Sequence, residues 1–180
     1  MNLSPTPNLS GTIVGLSNGY AGVVATLATM RALVNEYKKN VKLRQIATQI
    51  IFLTPEKDEF SEADALFAFV RDNIRYVKDV HGVETLATPI ITLATKIGDC
   101  DDQTTLLATL LESVGYPTRF VIAAYHYPDE FEHVYMQACV AGEWVDMDAT
   151  EQQVLGWSPP DPVSLQIENC LLYTSPSPRD

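Results

Sequence analysis

Positive charge is scarce in this chain of 180 residues: Lys and Arg number 12 against 23 Asp and Glu, a formal net charge of −11. No Lys/Arg cluster interrupts that acidity, which argues against nucleic acid and anionic membrane surfaces as partners. Cysteine is scarcer still. Cys100, Cys139 and Cys170 are odd in number and far apart, so they make neither a disulfide framework nor the paired spacing of a zinc site. A reducing compartment is the simplest expectation, and neither a metal nor an organic cofactor is implied. Long apolar runs are missing too. Residues 11–30 carry no charge, but Gly11, Gly15, Gly19, Gly22, Asn18 and several hydroxyls dilute them below a transmembrane signal. No basic stretch precedes them, so no signal peptide is expected. The sequence reads as a soluble protein.

What is present is ordinary globular material, 46% apolar and 19% charged, enough for one domain with a real core. Met1–Asn8, with Pro5 and Pro7, reads as a tail. Leu27, Met30, Leu33, Val34 and Tyr37 mark an amphipathic helix over 25–39, and Leu43, Ile46, Ala47 and Ile50 a second. Thr54-Pro55-Glu56 has the form of an N-cap followed by proline, and Ser61-Glu62-Ala63-Asp64 that of an acidic capping box. Leu66, Phe69, Val70, Ile74 and Val77 place the next helix's buried face. Residues 79–88 read as a polar loop and Ile90–Leu93 as a short apolar turn. Strands are expected over 119–125, 133–141 and 144–148, with Gly142-Glu143 as a tight turn. Helices first and a small antiparallel sheet afterwards indicate α+β, with a helix carrying the nucleophile candidate packed on the sheet. Residues 1–55 form a tail and helical extension, 56–160 the core, and 161–180 a truncated tail.

One segment organises the rest. Gly98-Asp99-Cys100-Asp101-Asp102 runs directly into Leu106, Leu107, Leu110, Leu111 and Val114 at the spacing of one helical face, and Gly115 and Pro117 end the helix. Cys100 therefore stands at a helix N-terminus, where free N–H groups and the dipole favour a thiolate. Asp99, Asp101 and Asp102 oppose this, because nearby carboxylates raise a thiol pKa. Thiol catalysis also needs a base and a group to orient it. His133 opens one strand and Asp148 closes the next, so a hairpin brings them close with a residue or two of stagger. His81 and His126 are equally available as bases, and strand parity alone does not separate Asp146 from Asp148. Cys139 shares parity with His133 but lies about 20 Å along the strand, which makes it a packing residue.

Gly98-Asp99-Cys100-Asp101-Asp102 with Gly115-Tyr116-Pro117-Thr118-Arg119-Phe120 resembles the nucleophile segment of the transglutaminase-like superfamily. His133-Val134-Tyr135 and Trp144-Val145-Asp146-Met147-Asp148-Ala149-Thr150 are similar to its histidine strand and Trp…Asp-Pro-Thr element, with Ala149 where proline is common. The resemblance covers about residues 60–150 and implies a papain-like core with Cys100, His133 and Asp148 as triad, favouring Asp148 over Asp146. It implies attack of Cys100 on an amide or ester carbonyl of a protein or peptide. Water as the second substrate makes a protease or amidase and an amine makes a transglutaminase; hydrolysis is preferred because water is always available. The Cys100 N–H is one oxyanion donor, and Tyr76 or another upstream aromatic is the guess for the second. Gly22, Thr26-Leu27, Met30 and Leu33-Val34, with Arg71–Val77, resemble transglutaminase-like proteins of tailed bacteriophages and prophages. That resemblance implies a host-cytoplasmic or virion location and phage structural proteins as partners, and it supports the rival reading, a catalytically silent assembly scaffold. Leu172–Asp180 resembles translated sequencing adapter, so the natural chain is expected to continue beyond Ile167.

Overall fold

The computed structural model describes residues 20–78 and 85–168. The expected N-terminal tail, His81, Cys170 and the adapter-like end lie outside them. The first two helices stand where their apolar spacing places them: α1 over Tyr20–Tyr37 and α2 over Val41–Ile51. Asn40 caps α2, its side chain accepting from the Lys42 and Leu43 N–H groups.

Helix α3 spans Glu59–Asn73, and its ends correct the sequence reading. Neither Thr54 nor Ser61 begins it. Asp58 is the cap, accepting from both the N–H and the hydroxyl of Ser61, because an Asp three residues ahead of a Ser can satisfy an orphan donor. The helix also stops short of Val77. Ile74 is already extended, and Arg75–Tyr76 forms strand β1. The Ile90–Leu93 turn is in fact a helix, α4 (Pro89–Thr95), started by Pro89 at N1 and ended by Lys96 in the left-handed region. Strand β2 (Ile97–Gly98) pairs in parallel with β1, Arg75 opposite Ile97 and Tyr76 opposite Gly98.

Helix α5, Cys100–Ser113, is the centre of the molecule. The Leu stripe predicts one buried face, yet almost the whole helix is buried, Gln103, Thr104, Thr105 and Thr109 included. α1, α2, α3 and α4 pack on it on one side and the sheet on the other. Three of these polar residues bond backbone: Thr109 to the Thr105 carbonyl at 2.7 Å, Thr104 to that of Val134 at 3.3 Å, and Gln103 through its NH₂ to that of Gly98 at 3.3 Å; the Thr105 hydroxyl and Gln103 Oε1 are buried without a hydrogen-bond partner among the described residues.

Strands β3 (Thr118–Ala124), β4 (His133–Val140), β5 (Glu143–Met147) and β6 (Ser164–Ile167) form an antiparallel sheet in the order β5-β4-β3-β6. Phe120, Ile122, Val134, Met136 and Ala138 are buried in the core beneath α5. The β4–β5 turn is centred on Ala141 and Gly142, with φ of 50° and 86°, one residue earlier than Gly142-Glu143. Two positive φ values are what a two-residue hairpin requires. β6 falls in the stretch read as tail. Since β5 and β6 are opposite edges, residues 148–163 travel from one to the other, taking the Arg71 guanidinium on the Gln153 carbonyl and donating Gly156 N–H to that of Asp146.

Candidate active site

Asp99, extended at φ −89° and ψ −161°, caps α5 by accepting the Asp102 N–H at 3.1 Å, so Cys100 is the first helical residue. Asp102 in turn accepts the Ala87 N–H at 2.7 Å, tying the preceding segment to this turn. Gly98 is required by that packing. A Cβ there would lie 2.7 Å from the Asp102 Cβ and 3.2 Å from the Thr92 methyl, neither of them a flexible side-chain end. Gly98→Ala is therefore expected to cost about 1–3 kcal/mol by overpacking, measured by urea unfolding. A loss below about 0.5 kcal/mol would show that the turn can yield.

The hairpin delivers the second half of the site. Met136 faces Met147 and Gln137 faces Asp146, so Asp148 lies opposite position 135 and two residues from square with His133, the stagger expected. His133 Nε2 meets Asp148 Oδ2 at 2.7 Å, with the carboxylate fully buried and the imidazole largely so. Asp148 Oδ1 accepts both the N–H and the hydroxyl of Thr150, at 3.0 and 2.6 Å. Burial by itself would raise the Asp148 pKa, but the bond to and charge of His133 with the two bonds from Thr150 hold it below the usual carboxylate range. The Tyr135 ring stacks on the imidazole, centroids 6.2 Å apart. Thr150 and Tyr135 were not singled out as orienting groups. Asp-x-Thr as a local side-chain turn was the available signal for Thr150.

The other candidates are engaged elsewhere. Asp146 accepts from Gln137 at 2.8 Å, and Gln137 from Arg119 at 2.6 Å. Arg119 lies 4.1 Å over the Trp144 ring. The exposed His126 is clasped through Nδ1 by both Glu132 oxygens at 2.9 Å. Cys139 faces Trp144 across the hairpin.

The two halves meet at the sulfur. Cys100 takes a hydrogen bond from the backbone N–H of Val134, the residue after His133, and its thiol donates to Asp101 Oδ1 at 3.5 Å. Burial, followed by the charges of Asp101 and Asp99, pushes its pKa well above the ordinary thiol value. The helix N-terminus expected to favour a thiolate is thus outweighed by partial burial together with two anionic neighbours. Tyr76 belongs to the same neighbourhood: burial, then Cys100, Asp99, Asp101 and Asp148, push its hydroxyl up to about 12. Among the described residues no group of three or more His, Cys, Asp or Glu is arranged to hold a metal ion, and no helix is long and apolar enough to cross a membrane.

Solved structures repeat this arrangement of elements. A candidate cysteine protease from Cytophaga hutchinsonii matches with a TM-score of 0.52 and 16% identity over 87% of this chain and 59% of its own. A candidate protease from Parabacteroides distasonis gives 0.58 and 14% over 72% of this chain and 26% of its own. Calcium-bound LapG from Legionella pneumophila gives 0.51 and 18% over 76% and 80%. The chain thus spans 59% and 26% of the length of the first two, and at these identities the likeness is one of fold. No curated protein sequence matches the chain. The sequence profile of the transglutaminase-like superfamily matches residues 44–149, more than half of the chain. With α5 bearing Cys100 at its start and the sheet bearing His133, the chain belongs to the transglutaminase-like superfamily.

Proposed function

We propose that the protein carries out cysteine-dependent acyl chemistry on a protein or peptide carbonyl, with Cys100 as nucleophile, His133 as proton carrier and Asp148 as its orienting group. The observation that carries this reading is the 2.7 Å bond between His133 Nε2 and the buried Asp148. It leaves Nδ1 as the imidazole nitrogen available to the thiol, while the Val134 N–H on the sulfur keeps Cys100 beside His133. Because the thiol is held neutral, its S–H turns from Asp101 toward His133 and the proton passes to Nδ1 as attack proceeds. The new S–C bond displaces the carbonyl π electrons onto oxygen. The Cys100 N–H, one of the orphan donors of the helix start, stabilises that oxyanion, and the Tyr76 hydroxyl, protonated at neutral pH, is the second donor. The C–N bond then breaks, and the amine departs with the proton from His133. A thioester remains. Water, or an amine, attacks it with His133 again taking the proton, and the C–S bond breaks to regenerate the thiol. Hydrolysis is the preferred outcome.

The first test is alkylation by iodoacetamide as a function of pH, with Cys139 as internal reference. His133→Ala is expected to slow alkylation of Cys100 at pH 7 by about 10²-fold or more and to leave that of Cys139 unchanged. Equal slow rates with and without His133 would overturn the acyl reading in favour of a silent scaffold.

A further inference from the structure

Strand β4 outruns β5. The Cys139 N–H bonds the Pro117 carbonyl at 2.9 Å on the β3 side, so within the strand odd-numbered residues aim their backbone groups at β3 and even-numbered ones at β5. Met136 faces Met147, where β5 ends. The backbone N–H and C=O of Val134 therefore point to the place a continued β5 would have filled. Helix α5 fills it instead. Cys100 Sγ accepts the Val134 N–H, and one helical turn later Thr104 donates its hydroxyl to the Val134 carbonyl at 3.3 Å. Residues four apart stand one above the other on a helix face, so this pair reaches both backbone groups of a single strand residue. The direction of the Thr104 hydroxyl is unusual in this chain. Thr26, Thr29, Thr48 and Thr109 turn theirs back to the carbonyl four residues earlier in the same helix. Thr104 gives its own to another element.

We infer that Thr104 is a positioning residue for the reaction: by holding the Val134 carbonyl against α5, it sets the distance between Cys100 and the neighbouring His133. Asp148 and Thr150 govern the direction in which the imidazole points. The Thr104 bond governs how far the strand carrying that imidazole stands from the helix carrying the sulfur. Val134 and Thr104 are each 4% exposed, so water is poorly placed to take over from the hydroxyl. A buried carbonyl deprived of its donor is costly, and the start of β4 would shift to find another. A misplacement of about 1 Å is enough to slow a reaction severely. The inference rests on the acyl reading above, since it supposes that a proton passes from Cys100 to His133.

The test sets Thr104→Val, which keeps the shape and removes the hydroxyl, beside Thr104→Ser, which keeps the hydroxyl. Iodoacetamide labelling of Cys100 in the whole chain is followed across roughly pH 6 to 10, with Cys139 as reference. Thr104→Val should slow Cys100 about tenfold at pH 7, the worth of one hydrogen bond near the upper end of its net range. The gap should close as pH rises, because free thiolate reacts without help from a base. Thr104→Ser should restore the wild-type profile. If Thr104→Val does not fold, Thr104→Ala against Thr104→Ser asks the same question of one hydroxyl. Rates for the hydroxyl-free variant that match the wild type at every pH would overturn the inference. So would a loss equal at every pH, or one that Ser does not repair, since either marks a packing defect. A wild-type rate indifferent to His133→Ala would overturn the acyl reading and this inference with it, whereas a His133-dependent wild type confines a negative result to Thr104.

Discussion

Glu112→Ala is expected to destabilise the protein by about 3–5 kcal/mol, the range for breaking a buried ion pair from one side. Glu112 occupies the last turn of α5, where the dipole disfavours a carboxylate. It is tolerated there because three donors converge on it: Arg31 at 2.7 Å, Lys38 at 2.9 Å and the Thr118 hydroxyl at 2.7 Å. Its side chain is 3% exposed, and those of Arg31 and Lys38 are 10% and 19%. Arg31 is fixed further by the Thr118 carbonyl and by the Phe120 ring, 4.3 Å from its guanidinium carbon. Truncation would take from Arg31 and Lys38 the carboxylate they share, leaving Arg31 with the more distant Glu168 at 3.9 Å, while the α1 end of the molecule loses its closest polar tie to the end of α5. A fall of roughly 10 °C in Tm is the corresponding thermal result. Glu112→Gln, which keeps the shape and one acceptor, should lose less. By contrast, Asp72, half exposed beside Arg71, should matter by less than about 1 kcal/mol. Equal small effects at both sites would show that the α1–α5 cluster is solvated.

Asp148→Asn is expected to lower thioester formation by about 10³–10⁴-fold with little change in fold, the scale seen when a triad carboxylate becomes an amide. The reason lies on the far side of the carboxylate. Oδ1 already receives two donors from Thr150, so the amide must turn its single oxygen there and its NH₂ toward His133. Nε2 then becomes an acceptor, and the ring proton moves to Nδ1, the atom that should take the thiol proton. Thr150→Val removes the hydroxyl donor and should cost less. In Asp148→Asn/Thr150→Val the amide is freer to turn back, so part of the loss should return. Rates of thioester formation with an activated peptide ester would measure all three. The pH dependence of stability follows from the same carboxylate. Its folded pKa is lowered, so its contribution is fully present above the unfolded value of about 3.9 and is lost as pH falls through the folded value. Unfolding between pH 2 and 6 should show that loss in the native protein and a flatter profile in Asp148→Asn.

Much of the architecture was legible because local signals and tertiary needs agree. The Leu spacing before Gly115 placed α5, and alternation with a Gly142 turn placed β4 and β5 and set His133 near Asp148. The nucleophile helix on an antiparallel sheet followed from that order. Where the reading slipped, the deciding interaction was not local. Phe69 and Val77 continue a helical pattern, but Arg75–Tyr76 pairs with Ile97–Gly98, more than twenty residues away. Ser164–Ile167 looks like tail until Val121–Ala124 offers it an edge. Gln103 and Thr105 lie off the Leu stripe and are buried all the same, because helices and sheet both pack on α5.

The candidate site divides the same way. Sequence alone determined the residue types, their order and the helix start under Cys100. Alternation left Asp146 and Asp148 open and only the resemblance favoured Asp148; in the structure Asp148 bonds His133 while Gln137 takes Asp146. The state of the thiol was a geometric outcome. A helix N-terminus is a local property and favours a thiolate, whereas burial and the approach of Asp99 and Asp101 exist only once the layers close. Dehydration and the orientation of charges are properties of packing, and no spacing along the chain encodes them.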